Sequence, residues 1–287
     1  MNNKKIVVIT REDLEAQRIS GFDLEAELKN PRDAVDPQIL ASLAARGVTN
    51  YFMEFDGVRV LSRQSDAYPN PTLNHFALAR YLSRGKVTAP KFLDLGCGVG
   101  FLGNYAGVRL ETKELVFADL NPEAINQALF SYQVNHRLDL GSFPNEQHDF
   151  GLKIKAPKHT LDCRVGNAAE SLDNFDAQDC IAVAAPMYLP GVCEVFPQAF
   201  MLFAHVAKKT GAKLYIGHSN LTSDLVEQAA RQNGLHLRSK EEQSVPFMIE
   251  YTHPGKALMA DEFMKRGLEL REGRAYHKLM VSELSYK

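Results

Sequence analysis

The sequence predicts an α/β protein with a doubly wound, mostly parallel sheet of seven strands, preceded by a small N-terminal α+β region. The first observation is an alternation after Pro90, where short apolar runs typical of buried strands are followed by longer stretches with helical apolar spacing. The second is a change of pattern near residues 85–90, before which strand and helix signals are mixed. We therefore predict an N-terminal region at residues 1–88 and a core at residues 89–287.

The N-terminal region contains a β-hairpin signal. The β-prone runs 51–55 and 58–61 flank Asp56-Gly57, a dipeptide that favours a two-residue turn. The apolar run at residues 6–9 predicts a short buried strand. The apolar spacing of residues 37–45 and 72–82 predicts two helices.

The core carries the alternating pattern. Its predicted strands lie at residues 91–95, 115–119, 161–165, 180–184, 214–217, 235–239 and 278–283, and its predicted helices at 122–132, 192–207 and 223–233. Two loop-like stretches, 134–159 and 245–274, are longer than ordinary connections, and each either covers a substrate pocket or is a plain surface insertion. Ligands in such sheets bind beyond the carboxyl ends of the strands, so functional residues are expected directly after each strand.

The composition and charge of the chain give no indication of a nucleic-acid or membrane partner, of a bilayer-spanning segment or of a metal site. There are 33 Lys and Arg residues against 35 Asp and Glu residues, a formal net charge of −2, which calls for neither nucleic acid nor an acidic membrane as a partner. No apolar run approaches the ~20 residues that span a bilayer. The cysteines form no C-x-x-C pair, so we expect no metal site and reduced, buried thiols in a cytoplasmic protein; they are Cys97, Cys163, Cys180 and Cys193.

The strongest functional signal in the sequence is a glycine turn at residues 96–100, which follows the first core strand. Gly96, Gly98 and Gly100 lack Cβ atoms, so main-chain amides there can approach a ligand closely. The turn leads into a helix whose N-terminus favours a ligand that carries a carboxylate or a phosphate. Asp94 lies inside the preceding strand, where a carboxylate needs a partner, and one partner that only a cofactor supplies is an ammonium group.

An acidic residue ends the second core strand. Asp119 comes 23 residues after Gly96, a distance at which its carboxylate can accept hydrogen bonds from ribose hydroxyls. The pair predicts a cofactor that contains a nucleoside. The dinucleotide fingerprint G-x-G-x-x-G would need a glycine at position 101, which is Phe101. A nicotinamide dehydrogenase is therefore disfavoured, and a tight turn without a ligand remains the plain alternative.

Three motifs resemble those of the class I S-adenosylmethionine (SAM)-dependent methyltransferases, over about residues 60–287. They are Asp94-Leu95-Gly96-Cys97-Gly98-Val99-Gly100, then Ala118-Asp119-Leu120-Asn121-Pro122, then Gly166-Asn167-Ala168. The resemblance implies SAM as cofactor and S-adenosylhomocysteine (SAH) as product. It also implies that the glycine turn wraps the methionine part, that Asp119 holds the ribose and that Asn167 holds the adenine edge. Leu120 and Ala168 are assigned to the cofactor without a more specific role.

A fourth motif bears on the methyl acceptor. The run Ala184-Ala185-Pro186-Met187-Tyr188 resembles the Asn-Pro-Pro-Tyr motif of methyltransferases that act on amide or exocyclic nitrogens. The hairpin followed by Pro69-Asn70-Pro71-Thr72 is similar in layout to the glutamine-amide (release-factor) methyltransferases. Ala185 stands in place of the asparagine and accepts no side-chain hydrogen bond, and Met187 replaces the second proline. The acceptor therefore stays open between a nitrogen or oxygen of a small molecule and one of a protein side chain.

The remaining candidates flank the expected position of the methyl donor. Tyr188 is a candidate catalytic residue, through attraction of its ring to the sulfonium or help with a proton, and its alternative is packing at the rim. His218 is a candidate general base, and its alternative is a cap or a satisfied structural group. Ala185 and Pro186 are assigned to the cofactor, and Tyr68, Asn70, Met187 and Asn220 to the substrate. Turn chemistry for Tyr68 and Asn70, and a helix cap for Asn220, are their alternatives.

The sequence therefore predicts a SAM-dependent methyltransferase with a small-molecule or protein substrate. The first alternative is an RNA or tRNA N-methyltransferase, which would usually show a basic field that neither end of the chain has. The second is a SAM-binding regulatory protein that transfers no methyl group.

Overall fold

A computed structural model describes residues 6, 29, 31–33, 50–63, 71, 73–85, 87–166, 179–184, 192–250, 269–271 and 274–286. The strands are β1 (Arg32–Asp33), β2 (Asn50–Phe55), β3 (Val58–Arg63), β4 (Lys91–Leu95), β5 (Glu114–Asp119), β6 (Asn145–His148), β7 (Gly151–Lys155), β8 (Thr160–Val165), β9 (Cys180–Ala184), β10 (Lys213–Ser219), β11 (His236–Glu250), β12 (Glu269–Arg271) and β13 (Arg274–Ser285). The α-helices are α1 (Leu73–Arg84), α2 (Phe101–Arg109), α3 (Pro122–His136), α4 (Val192–Thr210) and α5 (Ser223–Gln232).

The chain divides into two compact units. The first comprises residues 1–72 and 86–174, and the second comprises residues 73–85 and 175–287. The predicted boundary lay between residues 88 and 89. The predicted strand at residues 6–9, apart from Ile6, and the predicted helix at residues 37–45 lie outside the described residues.

The first unit contains the strands that lead to the glycine turn and to Asp119. Its sheet has the order β4-β5-β8-β7-β6, with β4, β5 and β8 parallel and β7 and β6 antiparallel. The parallel strands are rich in buried side chains, such as Phe92, Leu93, Leu115 and Val116. Such near-continuous apolar runs are typical of strands that are covered on both faces.

The stretch 134–159 is not a loop, and this prediction was wrong. After the end of α3 and a short 3-10 helix (Leu140–Ser142), it forms the hairpin β6–β7, which adds to the edge of β8. Leu152 and Ile154 are buried and alternate with Lys153 and Lys155, which is the period of a strand with one apolar face. The polar residues of β6 concealed this pattern in the sequence.

The predicted N-terminal hairpin is confirmed as β2–β3, and it lies in the first unit. Asp56 and Gly57 have φ angles of 49° and 76°, as a two-residue turn with positive φ at both positions requires. The hairpin packs on α3, where Ser131 Oγ accepts a hydrogen bond from Leu61 N at 3.0 Å.

The second unit contains β9 and β10 as parallel neighbours, followed by β13 and β11 as antiparallel strands, with β12 paired to β13. Helix α1 packs on this sheet. A Cβ atom at Gly217 of β10 would lie 2.7 Å from Asn74 O, so glycine permits the close approach of α1.

The predicted α/β class is confirmed. The predicted number of seven strands is corrected. Apart from the three-stranded sheet β1-β2-β3, the described residues of each unit contain five strands, so the core has ten strands in place of seven. The additional strands are β6, β7 and β12, all of which lie outside the parallel centre. None of the helices in the described part of the chain combines the length and the apolar character that crossing a bilayer requires.

Candidate functional site

The glycine turn has the backbone conformation for which only glycine is well suited. Gly96, Gly98 and Gly100 have φ angles of 69°, 51° and 73°. A Cβ atom at Gly100 would lie 2.3 Å from Ala128 Cβ, whereas one at Gly96 would meet nothing within 4 Å. Gly100 therefore serves the packing of α3, and Gly96 borders open space at the carboxyl end of β4.

Asp119 is joined directly to the turn. Its Oδ2 accepts a hydrogen bond from Gly98 N at 2.9 Å, and its Oδ1 accepts one from Asn121 N at 2.9 Å. Its carbonyl oxygen accepts a hydrogen bond from Gly166 N at 3.0 Å. Each carboxylate oxygen retains capacity for a further donor, because it has two lone pairs. The fold thus brings together the ends of β4, β5 and β8, which carry the first two sequence motifs and Gly166, the first residue of the third.

Two neighbours of Asp119 shape the same strand edge. Leu120 follows it directly and leaves 72% of its surface exposed, which is unusual for a large apolar side chain. At Gly166 the φ angle is 142°, and a Cβ atom there would meet nothing within 4 Å. The edge is therefore open and apolar on one side of a carboxylate.

Asp94 lies below the turn and is almost completely buried, with 2% of its surface exposed. Its Oδ2 accepts a hydrogen bond from Gly103 N in the first turn of α2, at 2.8 Å. Burial raises the pKa of Asp94 from 3.8 to about 8, with a smaller contribution from the charge of Asp119, and the Gly103 amide opposes the shift. The protein itself therefore supplies a partner, in addition to the ammonium group expected from a cofactor.

Cys97 takes part in the turn through its main chain. Its amide donates to Ala118 O at 3.0 Å, as does that of Gly96 at 2.8 Å. The side chain is buried, and burial raises the pKa of the thiol well above its usual value. Such a thiol packs and does not act as a nucleophile. Cys163 and Cys180 are also free and buried.

The structure contradicts the expectation that His218 is a general base at the strand edge. The imidazole is fully buried in the second unit, and burial lowers its pKa to about 4. Nδ1 lies 2.9 Å from Ser219 O, and Nε2 lies 2.9 Å from Ser282 Oγ. With both nitrogens engaged and no exposed surface, His218 fits the structural alternative, as a link between β10 and β13.

Asn220 also serves main-chain structure. Its Oδ1 accepts a hydrogen bond from Lys278 N at 2.8 Å, so the side chain fastens β13. Its neighbour Ser219 caps the short 3-10 helix Asn220–Thr222, because Ser219 Oγ accepts a hydrogen bond from Leu221 N at 3.2 Å; α5 itself begins after Thr222, which makes no side-chain cap hydrogen bond. Substrate binding by Asn220 stays a prediction, since the hydrogen bond from Lys278 N engages the Oδ1 of an exposed side chain.

The other candidates lie outside the described residues. They are Tyr68, Asn70, Asn167, Ala168, Ala185, Pro186, Met187 and Tyr188. Within the described ranges, no group of three or more His, Cys, Asp or Glu side chains is arranged to hold a metal ion.

Sequence reasoning missed two residues of the site. Gly103, the partner of Asp94, carries no signal in the sequence, because an ordinary glycine in a helix predicts nothing about a carboxylate nine residues earlier. Asn121 does carry one, since an asparagine directly before a proline is typical of a helix start. Its Oδ1 accepts a hydrogen bond from Glu123 N at 3.0 Å and so caps α3 beside Asp119.

Comparisons with known proteins give likenesses of fold alone. No protein-family model and no curated protein matches the chain. Among solved structures, a Pyrococcus abyssi tRNA (uracil-54, C5)-methyltransferase in complex with S-adenosyl-L-homocysteine has a TM-score of 0.48 at 15% identity, over 82% of this chain and 43% of that one. A ribosomal protein L11 methylase from Lactobacillus delbrueckii has a TM-score of 0.43 at 15% identity, over 78% and 84% of the two chains.

A third solved structure is magnesium protoporphyrin IX methyltransferase from Synechocystis with bound SAM. Its TM-score is 0.43 at 12% identity, over 75% of this chain and 78% of that one. The substrates that these three names state are a tRNA, a ribosomal protein and a porphyrin. They differ in chemical class, and none is carried over to this chain.

Proposed function

We propose that this protein is a class I SAM-dependent methyltransferase. The observation that carries the proposal is the pairing of Asp119 Oδ2 with Gly98 N at 2.9 Å, because it joins the ribose-type carboxylate to the glycine turn at one strand edge. The first two motifs of the sequence resemblance and Gly166, the first residue of the third, support the proposal because the Asp119 carboxylate and carbonyl accept from Gly98 N and Gly166 N. A tight turn without a ligand would not need an open glycine on each side of a carboxylate.

The residues present fit the cofactor. Among the described residues, nothing lies within 4 Å of a Cβ atom built at Gly96 or at Gly166, which is compatible with a nucleoside beside Asp119. Asp119 would receive the ribose hydroxyls, and the exposed Leu120 offers an apolar surface to the adenine. Asp94 and the amides at the start of α2 would attract the ammonium and carboxylate groups of the methionine part. When bound, SAM would supply a methyl group on a sulfonium for direct displacement.

The chain's own contribution to such a displacement is orientation and the exclusion of water. We propose that Tyr188 takes part in methyl transfer, because the run Pro186-Met187-Tyr188 stands in the sequence where the family has its acceptor motif. In a Tyr188→Phe variant, turnover should fall more than SAM affinity, whereas equal activity would make Tyr188 a packing residue.

We propose a nitrogen or oxygen of a small molecule or of a protein side chain as the acceptor. The near-neutral charge supports this choice over RNA, since nucleic-acid binding relies on clustered Lys and Arg. The departures at Ala185 and Met187 favour an acceptor other than a glutamine amide held in the family's manner. The purified protein should therefore transfer label from methyl-labelled SAM to amines, phenols or protein substrates more readily than to tRNA.

The experiment that tests the proposal is a binding titration on the full chain. Isothermal titration calorimetry should detect SAM and SAH, and SAH should raise the melting temperature while NAD leaves it unchanged. Absence of heat with both SAM and SAH on natively folded protein overturns the proposal. SAM binding without transfer to any acceptor class would favour the regulatory alternative.

A further inference from the structure

One edge of β13, in the second unit, is shared by two strands with a gap between them. Strand β11 pairs with the opposite edge of β13 from end to end. On the shared edge, β10 pairs with β13 as far as Leu279, and β12 pairs with it from Tyr276 onward. Strand β12 therefore continues the line of β10 beyond its carboxyl end. Between the two, His277 and Lys278 have no partner on this edge among the strands that the structure describes, and we call this position the β10–β12 gap.

The gap lies where α/β sheets bind their ligands, which is beyond the carboxyl ends of parallel strands. Strand β10 is parallel to β9, and Gly217 pairs with Ala184, the last residue of β9. Ala184 also begins the run that resembles the acceptor motif of methyltransferases acting on nitrogen. A side chain that borders the gap is therefore a candidate for contact with the methyl acceptor. Asn220, the residue directly after β10, is such a side chain.

The orientation of the Asn220 amide follows from its one hydrogen bond. Its Oδ1 accepts from Lys278 N at 2.8 Å, at the gap. The oxygen and the nitrogen of an asparagine amide have nearly the same shape, but a main-chain N–H only donates, so the atom that faces it has to be the oxygen. The Nδ2 group, with its two N–H donors, is therefore turned away from the Lys278 amide. The side chain is exposed, so these donors are accessible.

A second asparagine shows how the same kind of contact looks where both amide atoms serve the fold. Asn135 Oδ1 accepts from Arg59 N at 2.8 Å, and Asn135 Nδ2 donates to Arg59 O at 2.7 Å. Asn220 makes the first of these two bonds with Lys278 and, among the described residues, not the second. The Lys278 carbonyl lies on the same edge of β13 as its amide, because both main-chain groups of a strand residue point to one side. The gap thus offers a side-chain donor next to a main-chain acceptor.

We propose that the β10–β12 gap binds an amide group of the methyl acceptor. Asn220 Nδ2 donates to the carbonyl oxygen of that amide, and Lys278 O accepts from its N–H. The amide needs no charge, and the Lys278 ammonium group is already paired with Glu242 Oε1 at 2.7 Å. Every residue of a polypeptide contains such an amide, so the acceptor is of the peptide type. The inference rests on the proposed function and deepens it, since it narrows the class of acceptor.

The first part of the test compares acceptors on the unmodified protein. The probes are N-acetyl amino-acid N-methylamides whose side chains carry an amine, guanidinium, imidazole, hydroxyl, phenol or carboxyl group. Each is paired with an analogue that has the same side-chain group but no amide, such as butylamine for lysine. Transfer of label from methyl-labelled SAM should reach at least one capped amino acid, with kcat/KM at least about tenfold above that of its analogue.

The second part uses an Asn220→Asp variant with the capped amino acid that reacts best. Aspartate still accepts from Lys278 N, and an acidic residue suits the start of a helix, so the variant should fold. It has no N–H to donate to a carbonyl oxygen. We expect KM for the capped amino acid to rise by at least about tenfold, while kcat changes by less than about threefold and SAH affinity by less than about twofold.

Glu242→Gln is the matched control, because it removes the exposed ion pair with Lys278 and leaves the Asn220 contact in place. Its KM should stay within about twofold of the unmodified protein. An equal rise of KM in both variants would assign the effect to a disturbance of β13 and overturn the inference.

Two results with the unmodified protein also overturn the inference, whether or not the variants fold. One is equal kcat/KM for the capped amino acids and their analogues, and the other is transfer to none of the capped amino acids. Failure of the unmodified protein to bind SAH would instead overturn the proposed function.

Discussion

Asp94 and Gly103 are joined by a hydrogen bond of 2.8 Å from the Gly103 amide to the buried Asp94 carboxylate. Gly103 makes this approach possible, because a Cβ atom there would lie 2.3 Å from Phe117 Cε1 and would push α2 away from the sheet. A carboxylate held in this way, with 2% of its surface exposed, is costly to ionise. We infer that the Asp94 carboxylate binds an ammonium group of a ligand, and that this role explains a residue that lowers the stability of the folded protein.

The stability of the protein should therefore respond to Asp94 in a pH-dependent way. The folded-state pKa is about 8 and the usual value is 3.8, so the folded state binds the proton more tightly in between. Stability from this group should fall as pH rises through that window, by up to about 1.4 kcal/mol for each pH unit. We expect Asp94→Asn, which can still accept from Gly103 N, to melt close to the unmodified protein at pH 4 and clearly above it at pH 9.

Thermal melts across that pH range check this expectation, with SAH binding measured in parallel. The Asn variant should bind SAH more weakly, because it cannot balance an ammonium charge. An Asp94→Asn protein that is less stable at pH 9 would mean that the carboxylate is ionised and well paired in the free protein.

Asp119 should matter for binding and also for the local fold, because asparagine offers one oxygen to the two amides, of Gly98 and Asn121, that the carboxylate accepts. An Asp119→Asn change keeps one oxygen acceptor but removes the charge that attracts ribose hydroxyls, so we expect SAH affinity to fall by at least about tenfold. Asp139→Asn is a matched control, since Asp139 Oδ1 likewise accepts a main-chain hydrogen bond, from Gly141 N at 3.0 Å. The measurement is isothermal titration calorimetry of both variants with SAH. If Asp119→Asn and Asp139→Asn bind SAH with equal affinity, Asp119 is not part of the cofactor site.

Alanine substitutions at two glycines of the turn should have different effects, one on folding stability and the other on SAH binding. At Gly100 the new Cβ would lie 2.3 Å from Ala128 Cβ at a φ angle of 73°, so we expect severe destabilisation. At Gly96 the new Cβ would lie within 4 Å of no described atom. The destabilisation of the folded protein should therefore be limited to about 1–2 kcal/mol, the cost of placing alanine in the left-handed backbone region. Gly96→Ala should then fold but bind SAH poorly. Urea unfolding and SAH titration measure the two effects, and a fully stable Gly100→Ala protein would contradict this account of the packing.

Two neighbouring histidines, the buried His159 and the half-buried His136, should make the first unit sensitive to acid. Burial, with the nearby His159 and Lys158, lowers the pKa of His136 from 6.5 to about 4, and burial also lowers the pKa of His159. His136 stacks on Tyr132, with ring centroids 4.2 Å apart, and the Tyr132 hydroxyl lies 2.7 Å from His159 Nδ1. The folded state therefore binds fewer protons between pH 6.5 and 4, and stability should be lost as pH falls through this window.

The His136→Phe variant keeps the stacking and removes the titrating group. We expect its melting temperature to fall less between pH 7 and pH 5 than that of the unmodified protein, measured by circular dichroism. His218 in the second unit also has a pKa lowered to about 4, so the variant should remove only part of the acid sensitivity. A His236→Phe change at an exposed histidine is the control and should leave the pH dependence unaltered.

The sequence by itself determined the α/β class, the strands that lead to the site and the meeting of the glycine turn with Asp119. These follow from local causes: apolar periodicity, the backbone freedom of glycine, and the rule that parallel strands end at one edge. The Asp56-Gly57 turn was predictable for the same reason, because its conformation depends on two adjacent residues.

Only the tertiary structure decided what depends on partners far along the chain. His218 follows the predicted strand at residues 214–217, as a general base would, but in the structure it lies within β10. Its Nε2 is next to Ser282, 64 residues later, and the ring is buried. The hairpin β6–β7 is stabilised by pairing with the edge of β8. Asp94 is hydrogen bonded to Gly103 N because the glycine allows α2 to lie close to the sheet. Spacing along a chain predicts which residues reach one strand edge, whereas burial and hydrogen-bond partners arise only once distant segments pack.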